Sequence, residues 1–261
     1  MRTALTIAGS DSGSGAGIQA DLKTFAAHRV YGTTAITAVT AQNTLGVTMW
    51  QALPADLVIA QIEAVAGDIG ADAVKIGMLA NAAIVEAVAA TIAELDLPFV
   101  VLDPVMVAKG GDRLLEPDAA DTLTSELLPR SHMVTPNVPE AEVLAGMRIA
   151  SLDDMRAAAR RILALGPRVV LVKGGHMPGD EVVDIVCTAH EVFELRGPRI
   201  ETRHTHGTGC TLSSAIAANL ALGLDDRTAL SQARAYLEGA LRNAPDIGRG
   251  HGPLGHFWRL Y

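Results

Sequence analysis

The sequence has 261 residues, a formal net charge of −8 at pH 7, 49% apolar residues and 19% charged residues. This composition excludes an intrinsically disordered chain, which combines low hydrophobicity with high net charge. The acidic balance and the lack of any run of Lys or Arg argue against nucleic acid as a partner, because phosphate binding needs a basic surface. Two cysteines without CxxC spacing favour a reducing compartment, so we expect a cytoplasmic protein.

The first residues carry no export signal, because a short apolar run at 3–8 ends in a Gly- and Ser-rich loop. No stretch of 18 apolar residues free of charges occurs, so we expect no membrane span.

Short apolar runs predict strands, in chain order at 3–8, 33–39, 73–76, 99–102, 132–135, 168–172, 182–188 and 192–195. Stretches with helical apolar spacing predict helices at 16–28, 55–69, 82–95, 117–127, 139–144, 152–165, 210–222 and 227–242. The strands at 182–188 and 192–195 are close enough in sequence to form a hairpin. The alternation predicts an α/β fold with a mostly parallel sheet and helices on both faces, in one domain over 1–261. The Gly-rich tail at 246–255 is predicted to be irregular.

Ligands bind beyond the carboxyl ends of the strands in open α/β sheets. The first such end is the Gly-rich loop 9–17, where backbone N–H groups could hold a phosphate or a polar ligand. The loop lacks the spacing of a dinucleotide fingerprint or a Walker A motif, and a simple flexible turn is the alternative.

Residues 206–213 (HGTGCTLS) place small residues before an apolar helix, which predicts an anion-binding helix N-terminus. Cys210 lies in the first turn, so we expect a lowered pKa and a role as nucleophile or general base. A buried, inert cysteine is the alternative, and it is the interpretation that we favour for Cys187.

Only four of the 21 basic residues are lysines. Lys75, Lys109 and Lys173 fall in or near predicted strand ends, where a compact positive charge suits nucleotide phosphates, although arginine-rich codon usage also explains their rarity. Asn137 and Glu140 could hold hydrated Mg²⁺, or they could cap a helix.

A metal site at His204 and His206 is not favoured, because no third ligand lies nearby. The histidines of the tail, His251 and His256, are expected at the surface.

Together these motifs resemble the ribokinase superfamily of ATP-dependent small-molecule kinases, and within it the hydroxymethylpyrimidine/phosphomethylpyrimidine kinases. The segments that carry the resemblance are 8–13, 15–25, 40–47, 75–79, 102–106, 135–142, 172–176 and 206–211. The resemblance implies a ribokinase-like three-layer sandwich and a phosphotransferase of thiamine biosynthesis. It implies ATP-dependent phosphorylation of 4-amino-5-hydroxymethyl-2-methylpyrimidine and then of its monophosphate.

The resemblance also implies roles for single residues. Gly207, Thr208 and Gly209 would form the anion hole, and Cys210 would be the general base where most of the superfamily has Asp. ATP would lie near Lys173, Thr208 and Asn137, and Mg²⁺ would be held through water by Glu140 and Asp103, with Asn137 helping to organise it. The aminopyrimidine would be bound by Asp21 and Gln42 in a pocket lined by Gly9, Ala16, Met78 and Val105. The family commonly forms homodimers.

Three alternatives stay open at this point. A pyridoxal-type vitamin B6 kinase would use the same scaffold, and a catalytically silent ligand-binding module would keep only the fold. A thiol-nucleophile enzyme would need a base near Cys210, for which His206 is the local candidate. The loop Lys109-Gly110-Gly111-Asp112 departs slightly from the usual family pattern, which could alter closure over the nucleotide.

Overall fold

The computed structural model describes residues 1–107, 111, 114–116 and 118–260. Within them lies one nine-stranded sheet in the order β3-β2-β1-β4-β5-β6-β7-β8-β9. The strands are β1 (Thr3–Asp11), β2 (Tyr31–Asn43), β3 (Gly46–Ala52), β4 (Ala73–Ile76), β5 (Val100–Leu102), β6 (Met133–Val134), β7 (Val169–Val172), β8 (Glu181–Thr188) and β9 (Val192–Pro198). β2, β1, β4, β5, β6 and β7 pair in parallel, whereas β3, β8 and β9 are antiparallel. The mostly parallel sheet is thereby confirmed.

Helices cover both faces of the sheet. They are α1 (Gly17–Ala27), α2 (Ala55–Asp68), α3 (Ala82–Glu94), α4 (Ala119–Thr122), α5 (Val138–Ala145), α6 (Leu152–Leu163), α7 (Thr208–Ala221) and α8 (Asp226–Arg242). Alternate residues of the central strands enter two separate cores: Val74 and Ile76 of β4 pack with α2 to α6, while Ala73 packs with α1, α7 and α8. Burial on both faces explains why these strands are continuously apolar. The predicted helices on both faces are confirmed.

The main difference from the predicted elements lies at one edge of the sheet. β2 continues to Asn43 and turns back as β3, which the sequence pattern did not predict. Most of β3 is exposed or half-buried, so its apolar residues form no buried run. The predicted helix at 117–127 consists of α4 and a π-helical turn at Leu123–Leu127, with Pro117 outside the described residues. Lys109, Gly110 and Asp112 of the predicted nucleotide loop also lie outside them. No helix in the described part of the chain is long and apolar enough to cross a bilayer.

Candidate active site

A cavity of about 700 Å³ lies at the carboxyl ends of the parallel strands. It brings together nearly all of the predicted site residues: Gly9, Ala16, Gln42, Met78, Asp103, Val105, Asn137, Glu140, Lys173, Gly207, Thr208, Gly209 and Cys210. The predicted position at the sheet edge follows from the parallel topology. Asp21 is the one predicted site residue that does not line this cavity.

The N-terminus of α7 forms one wall of this cavity. Gly207 has φ 85°, and a Cβ there would overlap the carbonyl oxygen of Gly15, so the position requires glycine. The helix has no side-chain N-cap, and its first turn holds no acidic residue. A helix N-terminus with this composition favours an anion.

Cys210 lies in that first turn. Burial raises the pKa of the Cys210 thiol to about 11, Lys75 opposes this rise, and Asp21 and Asp103 add to it. The predicted lowering of its pKa is therefore wrong, because loss of hydration outweighs the nearby positive charge. Cys187 is buried in β8, as predicted.

Asp21 lies outside the cavity wall, and its side chain is fully buried in an ion pair. Its Oδ2 accepts hydrogen bonds from Lys75 Nζ at 2.9 Å and Thr6 Oγ1 at 2.6 Å, and its Oδ1 accepts one from Ser214 Oγ at 2.6 Å. Protein donors occupy three of the roughly four lone-pair sites of this buried carboxylate. Asp21 therefore has a structural role as the partner of Lys75, and its contact with a bound pyrimidine stays a prediction. Burial disfavours the charged form of Lys75, but Asp21 outweighs it and the pKa of Lys75 is raised.

Two carboxylates and one ammonium group cluster opposite the start of α7. Lys173 Nζ donates to Asp103 Oδ1 at 2.8 Å. A Cβ built on Gly209 would lie 3.3 Å from Lys173 Nζ and 3.2 Å from Asp103 Oδ2, so the ion pair closely approaches the helix N-terminus. Burial raises the pKa of Glu140 to about 7, Lys173 opposes this rise and Asp103 adds to it. One ammonium group thus faces two buried carboxylates.

Asn137 and Glu140 form a capping box at the start of α5. Asn137 Oδ1 accepts from the Glu140 N–H at 3.0 Å, and Glu140 Oε2 accepts from the Asn137 N–H at 2.8 Å. The capping alternative raised by the sequence is thus confirmed, although both side chains also reach the cavity wall.

The Gly-rich loop is organised by Asp11. Its carboxylate accepts N–H bonds from Gly13 at 2.7 Å, Gly15 at 3.0 Å and Ala16 at 2.8 Å. These N–H groups are therefore satisfied by the loop's own carboxylate, which corrects the expectation that they hold a phosphate. Burial opposes ionisation of Asp11, but the hydrogen bonds from His206 and the loop outweigh it and lower its pKa.

His206 joins this loop to the predicted pyrimidine-binding residue. Its Nε2 lies 2.8 Å from Asp11 Oδ2 and 3.3 Å from Gln42 Nε2. A Cβ on Gly15 would overlap the imidazole ring, so the loop packs directly on it. From the sequence, His206 was considered only as a base or a metal ligand, and its contact with Asp11 was not predicted. In the described part of the chain, no three His, Cys, Asp or Glu side chains are grouped to hold a metal ion.

A further buried ion pair, in addition to Asp21–Lys75 and Asp103–Lys173, was also not predicted from the sequence. Arg234 of α8 pairs with Asp184 of β8, and Asp184 Oδ1 accepts from the Gly174 N–H at 2.8 Å, directly after Lys173. The signal in the sequence was a charged residue inside the apolar run 182–188. His256 also departs from expectation, since it is 3% exposed, whereas His251 is exposed as predicted.

Comparison with known proteins places these features in a family. The sequence model described as phosphomethylpyrimidine kinase matches residues 11–255. The hydroxymethylpyrimidine/phosphomethylpyrimidine kinase of Synechococcus elongatus is 52% identical over 99% of this chain and 98% of its own length. The thiamine biosynthesis bifunctional protein of Geobacter sulfurreducens is 49% identical over 97% of this chain and 51% of its own length. An ADP complex of Bacillus subtilis pyridoxal kinase superposes with a TM-score of 0.92 at 38% identity, covering all of both chains.

Proposed function

The chain belongs to the phosphomethylpyrimidine kinase family, and we propose that it performs two successive phosphorylations in thiamine biosynthesis. The first acceptor is 4-amino-5-hydroxymethyl-2-methylpyrimidine, and the second is its monophosphate. ATP is the phosphoryl donor in both steps. The observation that carries this proposal is the approach of the Asp103–Lys173 ion pair to Gly209, beside Cys210.

Phosphoryl transfer needs positioning and charge stabilisation more than covalent chemistry by the protein. The N–H groups at Gly207, Thr208 and Gly209 supply the anion hole for the transferring group, and Lys173 supplies the positive charge. In the first step the hydroxymethyl oxygen forms a bond to the γ-phosphorus, the bond from that phosphorus to the bridging oxygen breaks, and ADP leaves. The hydroxyl proton passes to the deprotonated form of Cys210.

The second step has a different need. Its nucleophile is a phosphate oxygen that is already ionised, so no proton must be removed. The same anion hole and Lys173 serve both steps, whereas Cys210 serves mainly the first.

Gln42 is the polar group that we assign to the aminopyrimidine. Its side-chain amide both donates and accepts hydrogen bonds, which matches an amino group next to a ring nitrogen. Met78 and Val105 supply apolar walls for the ring. Asp21 acts on the site indirectly, because it pairs with Lys75, which lines the cavity.

The charges at Asp103 and Glu140 fit Mg²⁺. Burial and the proximity of Asp103 disfavour a negative Glu140, so a cation held through water would stabilise both carboxylates. Asp103 and Glu140 would hold the ion, with Asn137 beside them. When bound, Mg²⁺ supplies positive charge against the phosphate oxygens of ATP.

The same proposal includes a homodimer in the cytoplasm. Leu45 and Met49 are 64% and 70% exposed at the β2–β3 edge of the sheet. Exposed apolar residues become informative when they lie together, and because these two belong to the same β2–β3 hairpin, we assign this edge as the subunit contact. Light scattering on the purified protein tests the oligomeric state.

A pyridoxal kinase is the second candidate, supported by the TM-score of 0.92 to the pyridoxal kinase of Bacillus subtilis. Coupled measurement of ADP release with Mg²⁺-ATP and each of three acceptors decides between the two. Turnover of the hydroxymethylpyrimidine and its monophosphate is the expected result. Turnover of pyridoxal alone would move the function to vitamin B6 phosphorylation. Failure with all three acceptors, in a folded sample that binds ATP, would favour a ligand-binding module.

A further inference from the structure

The C-terminal strap, residues 246–256, lies against the turn between β2 and β3. The His251 N–H donates to the carbonyl oxygen of Thr44 at 2.8 Å, and the Gly250 N–H donates to Thr44 Oγ1 at 3.3 Å. Thr44 follows Gln42 by two residues. The strap therefore holds the turn that ends the strand bearing Gln42.

On its other side the strap pairs with the loop that precedes α7. The His206 N–H donates to the carbonyl oxygen of Gly252 at 3.2 Å, and Pro253 forms a parallel bridge with His206. The backbone of His206 is thus fixed by the strap, while its side chain lies between Asp11 and Gln42. Both sides of the contact between Gln42 and His206 are held by this one segment.

The end of the strap is anchored in the helical layer. The Gly255 N–H donates to the carbonyl oxygen of Ala240 at 2.9 Å, and Tyr236 Oη donates to that of His256 at 2.6 Å. His256 Nε2 lies 3.0 Å from Thr211 Oγ1, one residue beyond Cys210. The strap therefore connects α7 and α8 to the edge of the sheet.

All four glycines of the strap lie where a Cβ would overlap a neighbouring atom, and two of them show what the strap packs against. A Cβ on Gly250 would overlap the carbonyl oxygen of Thr44, and a Cβ on Gly252 would overlap the ring of His204. A side chain can change rotamer to avoid an overlap, but the backbone carbonyl of Thr44 cannot. A larger residue at position 250 must therefore displace the β2–β3 turn.

We propose that the C-terminal strap is a positioning element, which sets the separation of Gln42 and His206 and so the orientation of the Gln42 amide toward the pyrimidine acceptor. This inference rests on the proposed function, because it takes Gln42 as the group that binds the pyrimidine. Gly250 and Thr44 are its positioning residues. In the described part of the chain, neither residue lines the cavity itself.

Steady-state kinetics of the full-length Gly250→Ala variant test the proposal. We expect the KM for the hydroxymethylpyrimidine to rise about tenfold or more, because small displacements of positioning groups are costly. The KM for ATP stays within about twofold of the original value, since only the acceptor side is disturbed. Gly67→Ala is the matched control, because a Cβ on Gly67 meets no atom within 4 Å.

Thr44→Val and Thr44→Ser provide a milder pair. Valine removes the acceptor of the Gly250 N–H, and serine keeps it, so we expect a raised pyrimidine KM only with valine. Thermal unfolding shows whether Gly250→Ala folds. If it does not, the Thr44 pair tests the positioning role of the strap instead.

An unchanged pyrimidine KM in the folded strap variants would overturn the role of the strap, and so would an equal rise in the KM for ATP. Lack of pyrimidine turnover by the unmodified protein would instead overturn the proposed function, so the two failures are distinguishable.

Discussion

Lys75 Nζ lies 2.9 Å from Asp21 Oδ2, and neither side chain is exposed to solvent. The pair links β4 to α1, and Lys75 lines the cavity near Cys210, whereas Asp21 does not. Removing one partner of such a pair leaves a buried charge without compensation, which costs far more than removing both.

Asp21→Asn is therefore expected to lower the free energy of unfolding by about 3 kcal/mol. The double variant Asp21→Asn with Lys75→Met should recover most of this loss, as measured by urea unfolding. The KM of folded Asp21→Asn for the pyrimidine should stay near the original value, because Asp21 lies outside the cavity. A stable Asp21→Asn protein with a strongly raised pyrimidine KM would support the direct contact that the resemblance implies.

Cys210 gives a prediction on pH. Its pKa of about 11 means that the thiol form dominates at neutral pH. The rate of the first phosphorylation should therefore rise with pH through the range below that value, while the second step shows no such rise. Cys210→Ala should lose about 100-fold or more in kcat for the first step. It should lose much less in the second step.

Alkylation by iodoacetamide across the same pH range checks the thiol directly. Cys187→Ala is the suitable background, because it leaves Cys210 as the single cysteine of the chain. Equal loss of both phosphorylation steps in Cys210→Ala would contradict this division of roles. Rapid alkylation at neutral pH would contradict the raised pKa of the thiol.

The family and the layered fold were predictable from the sequence, because continuous apolar strands and strand-end motifs mark a doubly covered parallel sheet. Comparison with known proteins confirms the predicted family. The edge hairpin was not predictable in the same way. β3 is an edge strand with little buried surface, so its pattern carries no burial signal.

The candidate site was predictable at the level of which residues meet, but not at the level of their charges. Cys210 was expected to follow the helix dipole, yet its burial dominates its pKa. Asp11 and Asp21 look alike as acidic residues near Gly-rich loops, and only the structure shows that one orders the loop while the other neutralises Lys75. Such long-range pairings have no periodicity that a sequence pattern could reveal.

His256 predicts how stability responds to acid. Burial lowers the pKa of His256 from 6.5 to about 4, with Lys23 adding to the effect. Protonation of His256 is therefore easier in the unfolded chain than in the folded protein. The neutral imidazole leaves the free energy of unfolding intact above about pH 6.5, and this free energy falls as pH drops from there toward 4. The free energy of unfolding should be about 2 kcal/mol lower at about pH 5 than at about pH 7 on account of this residue.

Urea unfolding of His256→Gln at both pH values isolates this contribution. Glutamine can still reach Thr211 but does not titrate. The fall in the free energy of unfolding between about pH 7 and about pH 5 should therefore be about 2 kcal/mol smaller in the variant than in the unmodified protein. The same loss in both proteins would mean that His256 is not protected from protonation in the folded state.

Asn137 allows the capping role and the ligand role to be separated. Asn137→Ala should cost about 1 kcal/mol of stability, because it removes the acceptor for the Glu140 N–H at the start of α5. Asn137→Ser should restore this stability, since serine is also a good N-cap residue. The effect on activity should differ from the effect on stability. We expect kcat/KM for ATP to be reduced in both Asn137→Ala and Asn137→Ser, because neither side chain reaches into the cavity as the amide does. Urea unfolding and ATP kinetics of the unmodified protein and the two variants make the measurement. Ser151→Ala is the control, because Ser151 caps α6 and does not line the cavity. Full recovery of activity in Asn137→Ser would show that Asn137 acts only by holding Glu140 and α5 in place.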